Sequence, residues 1–321
     1  MQPNPYLSVA IPTYNREVEL TQCLKSIVPQ ACEHGIRIYI SDNASSYDVR
    51  SLVERFRSGY PWIFYHRNER NLGLDANVRQ VISMVESKYA WLFSDDDVMV
   101  ADALALILPL CRLGKYQLIM PDREYKTRDL SQPVEKWESL NHVVTPTEFT
   151  DPVELLVRYC HLNYTFIGCL IIDLSAWRRV DGTSYISCKW FEHLCILAEM
   201  MLSGKALVLP DRLLIVRSEN TSWAGDWRVW AYNFPRALTK LPPAYPLKSR
   251  RQVLSGWLRL VKGTAFRLMM SGRLRGALNW QNRESILAVY RDLQAYNWIV
   301  AAYLALLMPE RVAHLLKRLG A

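Results

Sequence analysis

The sequence predicts an α/β fold in which a mostly parallel, Rossmann-like central sheet is flanked by helices. From residue 7 to about residue 120, short apolar segments of strand type alternate with segments whose apolar residues recur at i, i+3 and i+4. Hydrophobic residues make up 50% of the 321 positions, enough for a large core, and the 22% charged and 11% aromatic content excludes disorder of the whole chain. Beyond residue 225 the pattern is helical and basic, which predicts a C-terminal helical extension.

The elements are predicted in chain order. Strands are expected at 7–11, 36–41, 62–66, 89–93 and 116–120, with amphipathic helices between them. This alternation implies right-handed crossovers and a parallel sheet, whose ligands bind beyond the carboxyl ends of the strands. Residues 121–150 are polar and contain several prolines, which predicts a long loop over the site. After them we expect a helix at 151–160 capped by Asp151, a strand within 168–177, a helix at 189–202, and two strands in ALVLP and RLLIV.

The cysteines and the N-terminal segment predict a cytoplasmic protein. The seven cysteines are scattered and form no CxxC pair, which favours reduced thiols in the core over a disulfide framework or a zinc site. The segment MQPNPYLSVAIPTYN has no basic stretch followed by a long apolar one, so it predicts no secretory signal.

Positive charge is concentrated in the C-terminal third. Residues 226–321 hold 16 Lys and Arg but four Asp and Glu, a net charge of +12, so the remainder is net −4. A largely apolar, uncharged stretch there, 295–309, is shorter than the ~20 residues that span a bilayer. Basic amphipathic helices bind anionic lipid, so we expect peripheral contact with the inner face of a membrane. The alternative is that these helices pack on the preceding domain or on a second copy in a homo-oligomer.

Three predicted strands end in polar clusters, namely PTYNR at 12–16, SDNAS at 41–45 and SDDD at 94–97. If the sheet is parallel, all three clusters lie at one edge. Asp95, Asp96 and Asp97 repel one another unless a cation neutralises them, so they predict a site for Mg²⁺ or Mn²⁺ completed by phosphate oxygens. The alternative is a solvated turn whose aspartates cap a helix, but Asp102 is an adequate N-cap for the following helix.

The other two clusters fit a nucleotide. Asp42 is expected to accept a hydrogen bond from a base N–H, and Asn43 and Ser45 to reach a ribose or phosphate. Tyr14 is expected to stack on the base. The alternatives are an ordinary structural turn in SDNAS and a half-buried tyrosine at position 14.

These segments together resemble a known family. LSVAIPTYNR, ISDNASSYD, NERNLGLDANV and YAWLFSDDDVMVADAL are similar, in order and spacing, to the inverting GT-A glycosyltransferases of family 2 over about the first 115 residues. Within that family the chain resembles the O-antigen abequosyltransferases and related deoxyhexosyl transferases. The resemblance implies a catalytic domain at 1–225, with a nucleotide-sugar half at 1–115 and an acceptor half at 116–225, followed by the helical region 226–321.

The resemblance also implies roles for individual residues. The DXD motif of the family falls on Ser94, Asp95 and Asp96, so Asp96 is the preferred metal ligand, Asp95 lies near ribose and metal, and Asp97 supports them. Many relatives have Arg where this chain has Ala76, so a phosphate contact is expected from Arg70 or Arg79 instead. The nucleotide-sugar site is expected to comprise Pro12, Tyr14, Asn15, Arg16, Asp42, Asn43, Ser45, Asn71, Gly73, Asn77, Asp95 and Arg217.

The catalytic base of the family falls on the pair Glu192 and His193. The acceptor hydroxyl must lose a proton as it attacks, and a carboxylate or neutral imidazole can take it. The alternatives are an uninvolved surface pair and, for His193, a third metal ligand. Arg217 is expected to contact the leaving diphosphate, because a guanidinium suits bidentate phosphate binding.

The leading hypothesis is therefore a metal-dependent glycosyltransferase. It would move a sugar, with a deoxyhexose as one option, from a nucleotide-diphosphate sugar to a glycan hydroxyl on a lipid-linked acceptor in O-antigen or related polysaccharide synthesis. One alternative is a nucleic-acid-binding protein, suggested by the basic C-terminal region with its aromatic residues; we expect no nucleic-acid partner, because no recognition motif is present. The other is a nucleotidyltransferase, which predicts a glycine-rich phosphate loop that PTYNREVEL lacks.

Overall fold

A computed structural model of the chain describes residues 2–134, 143–218, 226–260, 264–309 and 311–313. The chain separates into two compact units whose segments interleave. The first unit comprises Met1–Leu155, Leu162–Asp181 and Met200–Asn220, and the second comprises Leu156–His161, Gly182–Glu199 and Thr221–Ala321. The expected division into 1–115, 116–225 and 226–321 stays a prediction.

The first unit contains a mixed sheet of nine strands within the described residues, in the order β3-β2-β1-β4-β8-β6-β9-β5, with β7 pairing to β9. Strands β1 to β4 run parallel to one another, as predicted. In the second half, β6 and β9 are parallel while β8, β5 and β7 pair antiparallel. The strands are β1 (Leu7–Thr13), β2 (Arg37–Asp42), β3 (Ile63–Arg67), β4 (Tyr89–Leu92), β5 (Val98–Met99), β6 (Leu118–Lys126), β7 (Thr147–Phe149), β8 (Leu170–Asp173) and β9 (Ala206–Arg217).

Capping residues set the ends of several helices. Asp48 caps α2 by accepting from the Ser51 amide at 3.0 Å, and Asp151 caps α5 through the Val153 amide at 2.8 Å, as predicted. Gly35 ends α1 in the left-handed region at φ 67°. The helices are α1 (Glu17–His34), α2 (Val49–Arg57), α3 (Leu74–Met84), α4 (Ala103–Leu113), α5 (Pro152–Tyr159), α6 (Leu174–Arg178), α7 (Glu192–Met200), α8 (Phe234–Lys240), α9 (Leu247–Leu260), α10 (Ala265–Leu274), α11 (Arg283–Asp292) and α12 (Tyr296–Leu307).

The prediction for Asp102 is wrong. Asp102 occupies the N-cap position of α4, but its side chain makes no capping hydrogen bond. Its backbone is left-handed at φ 61°, whereas an N-cap that accepts from the first turn normally has extended dihedral angles.

The segment predicted as a long loop is partly a strand. Strand β6 continues through Lys126 and pairs with β9, so only part of 121–150 is irregular, and 135–142 lie outside the described residues. ALVLP and RLLIV form the single strand β9 rather than two. The β6–β9 ladder shifts register between Met120 and Arg123, which accommodates Pro121 in β6 and Pro210 in β9. These prolines interrupt the apolar pattern without ending the strands.

The core of the first unit lies between the sheet and its helices. All residues of β1 and β4 are buried, which explains their continuous apolar sequences. All seven cysteines are free, and all but Cys32 are buried, as predicted.

The second unit is helical and packs around aromatic side chains. Phe191, Trp230, Phe234 and Trp257 contact one another with ring centroids 5.2–6.4 Å apart, and Tyr290 of α11 stacks on Trp298 of α12 at 4.9 Å. None of the helices in the described ranges has the length and apolar composition needed to cross a membrane.

Candidate active site

The polar clusters after β1, β2 and β4 lie at one edge of the sheet. Thr13 pairs with Asp42 across β1 and β2, and Asp42 pairs with Arg67 across β2 and β3. Strand β4 lies on the other side of β1, so the segment 94–97 that follows it reaches the same edge. The predicted convergence is therefore confirmed, and the end of β3 joins it.

Asp95 connects the acidic loop to the end of β1. Its carboxylate accepts hydrogen bonds from Thr13 Oγ1 at 2.8 Å, from the Tyr14 amide at 3.3 Å and from Arg16 Nη1 at 3.1 Å. Burial raises the pKa of Asp95 above its usual range and Asp96 adds to the shift, while Arg16 and these hydrogen bonds oppose it. A buried carboxylate with three donors has a fixed position, so Asp95 holds the SDDD loop against PTYNR.

Arg16 lies between two of the three aspartates. Its Nη1 atom forms ion pairs with both Asp95 and Asp96, and Asp96 also accepts from Ser94 Oγ at 2.5 Å. The repulsion between these carboxylates is thus offset in part by a guanidinium, which the sequence pattern did not indicate. The Asp96 side chain keeps 14% of its surface exposed, so a ligand can still reach it.

Asp97 lies in the interior of the protein. It is 1% exposed, and its Oδ2 atom has no hydrogen-bond partner among the described residues. Burial, followed by the charge of Asp96, raises the pKa of Asp97 well above its usual range. Asp95 and Asp97 are both buried, so the acidic segment is not the solvated turn of the alternative interpretation.

The residues present fit a divalent cation held mainly by Asp96. Oxygens of Asp95 and Asp96 converge on one positively charged nitrogen, so the two carboxylates are placed to share a cation. Within the described ranges, no group of three His, Cys, Asp or Glu side chains could hold a metal by itself. Mg²⁺ and Mn²⁺ commonly take one or two carboxylates and complete their coordination with substrate phosphates and water.

Asp42 holds two residues that the sequence analysis missed. Its buried carboxylate accepts from Tyr65 Oη at 2.9 Å, Arg67 Nη1 at 2.5 Å and the Ser45 amide at 2.9 Å. Burial and the adjacent Asp42 raise the pKa of Tyr65 to about 12. Because Asp42 is fully buried, its observed role is to fix Arg67 and Tyr65, and a contact with a base stays a prediction.

A network of asparagine side chains fixes the NLG loop. Asn43 donates to Asn71 Oδ1 at 2.8 Å and accepts from Asn68 Nδ2 at 3.1 Å and the Leu72 amide at 2.9 Å. Asn77 accepts from Ser41 Oγ at 2.7 Å and donates to the Ser41 carbonyl at 3.0 Å. Gly73, at φ 84°, precedes α3 in a conformation that favours glycine. The structure therefore brings Asn43, Asn71, Gly73 and Asn77 together, and it does so by hydrogen bonds among these residues and their neighbours.

Thr13, Arg67 and Asn68 were not predicted, although each lies at the end of a strand. Thr13 stands inside PTYNR, and Arg67 and Asn68 follow the apolar residues of β3. The rule that ligands gather at strand ends, applied to β3 as well, would have found the last two.

Tyr14 and Asn15 form the loop after β1. The Tyr14 side chain is 43% exposed, so its ring is accessible. Asn15 is left-handed at φ 54°; its amide donates to Ser45 Oγ at 2.9 Å, and its side chain accepts from the Ser46 amide at 2.7 Å. Pro12 is buried in β1 opposite Ser41.

Arg217 supports the acidic loop from the end of β9. Its Nε donates to the Asp96 carbonyl at 2.7 Å and its Nη1 to the Arg128 carbonyl at 2.8 Å, while Nη2 bonds Gln22. The residue is 6% exposed. Its observed role is to position the backbone of Asp96, and direct contact with a diphosphate stays a prediction. Residues 219–223 of the RSENTSW segment lie outside the described residues.

Glu192 and His193 begin α7 in the second unit. Each is 4% exposed, and the His193 ring lies 6.5 Å from that of Phe191. Their burial contradicts the alternative of an uninvolved surface pair.

Two arginines were expected to contact phosphate. Arg70 is exposed and Arg79 is half-buried, and their contacts with phosphate stay predictions.

A sheet of this topology, with acidic and amide side chains gathered where its parallel strands end, defines the class of GT-A glycosyltransferases. The chain matches the model of glycosyl transferase family 2 over residues 8–167. It is similar to abequosyltransferase RfbV of Salmonella typhimurium, with 29% identity over 228 residues that cover 68% of each chain.

Two solved structures share the fold. The crystal structure of residues 1–349 of S. aureus TarS in complex with UDP-GlcNAc has a TM-score of 0.60 and 14% identity, covering 94% of this chain and 91% of that one. The mannosyltransferase PcManGT from Pyrobaculum calidifontis, in complex with GDP-Man and Mn²⁺, has a TM-score of 0.53 and 14% identity, covering 94% and 86%. The predicted GT-A fold is therefore confirmed, and the match to the family model confirms the resemblance to family 2.

Proposed function

We propose that the protein transfers a sugar from a nucleotide-diphosphate sugar to a hydroxyl group of a glycan acceptor during synthesis of a cell-surface polysaccharide. The observation that carries the proposal is the convergence of Asp95, Asp96 and Arg16 at the ends of the parallel strands. The similarity to an abequosyltransferase supports a deoxyhexose as the transferred sugar, and O-antigen synthesis is what the family resemblance of the sequence implies. The fold shared with a UDP-GlcNAc complex and a GDP-Man complex supports a nucleotide-sugar donor.

In this proposal the first 115 residues bind the donor. The exposed ring of Tyr14 is suited to stack on the base, and Arg67, held by Asp42, presents a guanidinium at the same edge. The asparagine network keeps the NLG loop in place, so that Asn71 and Gly73 can line the site. Arg217 keeps the Asp96 backbone in position.

Asp96, with Asp95, would hold a Mg²⁺ or Mn²⁺ ion. When bound, such an ion stabilises the negative charge that develops on the leaving diphosphate. Asp95 is held by Thr13 and by the Tyr14 amide, so the ligand pair is oriented before a donor arrives.

The proposed reaction inverts the anomeric configuration in a single displacement, with His193 or Glu192 accepting the proton of the acceptor hydroxyl. The burial of both residues supports this role, because a base shielded from water keeps its orientation. We expect His193→Gln or Glu192→Gln to lower kcat by roughly 10²–10⁴-fold, and NMR of the product to show the opposite anomer from the donor. Retention of configuration would contradict a single displacement and leave the family assignment unchanged.

The proposed acceptor is a lipid-linked saccharide, and the proposed location is the cytoplasmic face of the membrane. The free cysteines support a reducing compartment. Helix α12 carries an apolar stripe formed by Tyr296, Val300, Leu304 and Leu307, which are 53–68% exposed. A surface helix normally presents polar residues on such a face, and the surrounding region is strongly basic. These features support peripheral binding to anionic lipid, and a second copy of the chain is the alternative occupant of the stripe.

Metal-dependent hydrolysis of a sugar nucleotide tests the proposal. Purified protein should hydrolyse one of the CDP-, UDP-, GDP- or dTDP-sugars slowly with Mn²⁺ or Mg²⁺ and stop when EDTA is added. Asp96→Asn should reduce this hydrolysis at least about 100-fold while the protein stays folded, because it removes the charge that holds the ion. Asp292→Asn, at an exposed position on α11, is the matched control and should keep full activity. Equal activity of Asp96→Asn and wild type would contradict the proposed site.

A further inference from the structure

The second unit contains a cavity of about 580 Å³ that none of the roles above uses. It is formed by the segment before α7, by the residues that lead into α8 and by the start of α11. Its walls include Lys189, Trp190, Arg228, Tyr232, Arg236 and Asn282. A smaller recess of about 240 Å³ shares Trp227 and Arg228 with it and adds Arg275. The main volume lies within the 300–1,000 Å³ that is usual for small-molecule sites.

The charges of this cavity favour an anion. Lys189, Arg228 and Arg236 line it, Arg275 lines the recess, and Asp226 is the sole carboxylate among the described residues that line either. Arg236 donates to Tyr232 Oη at 3.1 Å and lies 5.8 Å from the centre of its ring. This contact orients the guanidinium without cancelling its charge. Arginines held in this way suit phosphate oxygens, which they bind with charge-assisted hydrogen bonds.

Aromatic rings form the rest of the wall. Trp227 is buried, donates its indole N–H to the Leu268 carbonyl and packs on Gly272, where any Cβ would overlap the ring. Trp190 is half-buried with a left-handed backbone at φ 72°. Bulky residues adopt this conformation when the surrounding structure imposes it, and such residues are concentrated at ligand sites. An organic phosphate can contact both the cationic side chains and the aromatic rings, whereas an inorganic ion would contact the cations alone. The cavity therefore favours an organic phosphate.

We infer that this cavity binds the phosphate-bearing end of the acceptor, with the phosphate or diphosphate on Arg228 and Arg236 and its organic substituent against Trp190. The inference rests on the proposed function for the ligand's identity. Trp190 stands two residues before Glu192 in the chain, so a ligand held there lies beside the segment that carries the proposed base. A lipid-linked saccharide and a soluble sugar phosphate share this chemistry.

Calorimetric titration of the full chain tests the inference. The probes are geranyl diphosphate for the lipid source and N-acetylglucosamine 1-phosphate for the soluble source, with geraniol and N-acetylglucosamine as uncharged controls. A saturating mixture of UDP, GDP, CDP and dTDP with Mn²⁺ keeps the nucleotide site filled. We expect one phosphorylated probe to bind and the uncharged controls not to bind; the tighter of the two phosphorylated probes identifies the source.

Variants locate the binding. Arg228→Gln with Arg236→Gln should weaken it by about tenfold or more, and the double Lys variant should lose less, because it keeps the charges but not the bidentate geometry. Trp190→Gly accepts the left-handed backbone and removes the ring, so it should weaken binding by about fivefold. Arg259→Gln, exposed on α9, is the control and should bind as wild type does.

The inference is overturned if neither phosphorylated probe binds or if the double Gln variant binds as tightly as wild type. It is also overturned if inorganic pyrophosphate binds as tightly as the better probe, because the rings would then contribute nothing. Binding is measured without turnover, so its failure is distinguishable from failure of the proposed function. A protein that hydrolyses a donor but binds no probe would contradict this inference alone.

Discussion

Single residues near the acidic loop are packed with little spare room. A Cβ built on Gly168 would lie 2.9 Å from Asp97 Oδ2, 2.8 Å from Leu214 Cδ1 and 2.9 Å from the Phe166 ring. All three neighbours belong to the buried or partly buried interior of the first unit. Gly168 is therefore required for close packing, and its backbone needs no unusual φ.

We expect Gly168→Ala to destabilise the protein by about 1–3 kcal/mol, because overpacking forces buried neighbours apart. Denaturant unfolding of the purified variant measures the change. Gly59→Ala is the matched control, since its nearest neighbour, the Phe56 carbonyl oxygen, would be 3.8 Å from the new Cβ. The control should stay within about 0.5 kcal/mol of wild type. Equal stability of the two variants would show that the packing around Asp97 can relax.

Residue identity alone indicated much of this site, but not its pairings. The sequence grouped Asp95, Asp96, Asn43 and Asn77 because several polar clusters follow apolar strands and the order of these clusters resembles that of the family; their roles in binding stay predictions. The ion pair of Arg16 with Asp96 could not be predicted, since it joins residues 80 positions apart whose side chains meet only after β1 and β4 pair.

At the scale of elements, the turn after β6 is fixed by one carboxylate. Asp129 accepts from Thr127 Oγ1 at 2.5 Å and from the Ser131 amide at 3.1 Å. These hydrogen bonds lower the pKa of Asp129 from its ordinary 3.8 to about 2. The Arg128 carbonyl in the same turn accepts from Arg217, which also holds Asp96. The turn therefore helps to keep β9 and the acidic loop together.

The sign of the pH dependence follows from the lowered pKa. The carboxylate of Asp129 is favoured in the folded turn, so its stabilising effect is fully present above pH 3.8 and is lost as the pH falls towards 2. We expect amide exchange at Ser131 to show a loss of protection in this interval that exceeds the intrinsic change in exchange rate. The Asp129→Asn variant should lose part of this amide protection at neutral pH. Its remaining protection should not change further between pH 3.8 and about 2. A carboxyl titration by NMR centred at 3.8 would contradict the predicted shift.

Elements of the first half of the sheet were predicted more accurately than those of the second. Strands β1 to β4 are parallel, and β1 and β4 are buried on both faces, so their sequences are continuous apolar runs bounded by polar residues. Strands β6 and β9 contain Pro121 and Pro210 at a register shift. Proline normally ends a strand in a sequence pattern, and only the pairing of the two strands shows that a bulge absorbs both residues.

At the scale of the whole molecule, charge and exposed apolar surface meet in the C-terminal region. The exposed residues of α12 recur at intervals of three and four, so they lie on one side of the helix, and Trp298, Ala302 and Ala305 are buried on the other. The region is net +12. The protein can bind an anionic membrane both by inserting these apolar side chains and by electrostatic attraction, whereas it can bind a neutral membrane by apolar insertion alone.

We expect the protein to float with vesicles of phosphatidylcholine and phosphatidylglycerol, to bind phosphatidylcholine alone weakly, and to be released in part by 0.5 M NaCl. Leu304→Glu with Leu307→Glu should reduce flotation at least about fivefold, since charged residues do not enter the acyl region. Leu113→Glu, 64% exposed on α4, is the matched control and should float as wild type does. Unchanged flotation of the double variant would contradict the role of α12 and favour a protein partner on this face.

The sequence by itself determined the alternation of strands and helices in the first 115 residues, the acidic loop after β4 and the basic C-terminal third, because each depends on neighbours along the chain. The tertiary structure decided which donors surround Asp42 and Asp95, that Asp97 is buried with no hydrogen-bond partner for Oδ2 among the described residues, and that Lys189, Arg228 and Asn282 line one cavity. Those contacts join residues far apart in sequence. Strand register and helix packing bring them together, and local periodicity does not specify either.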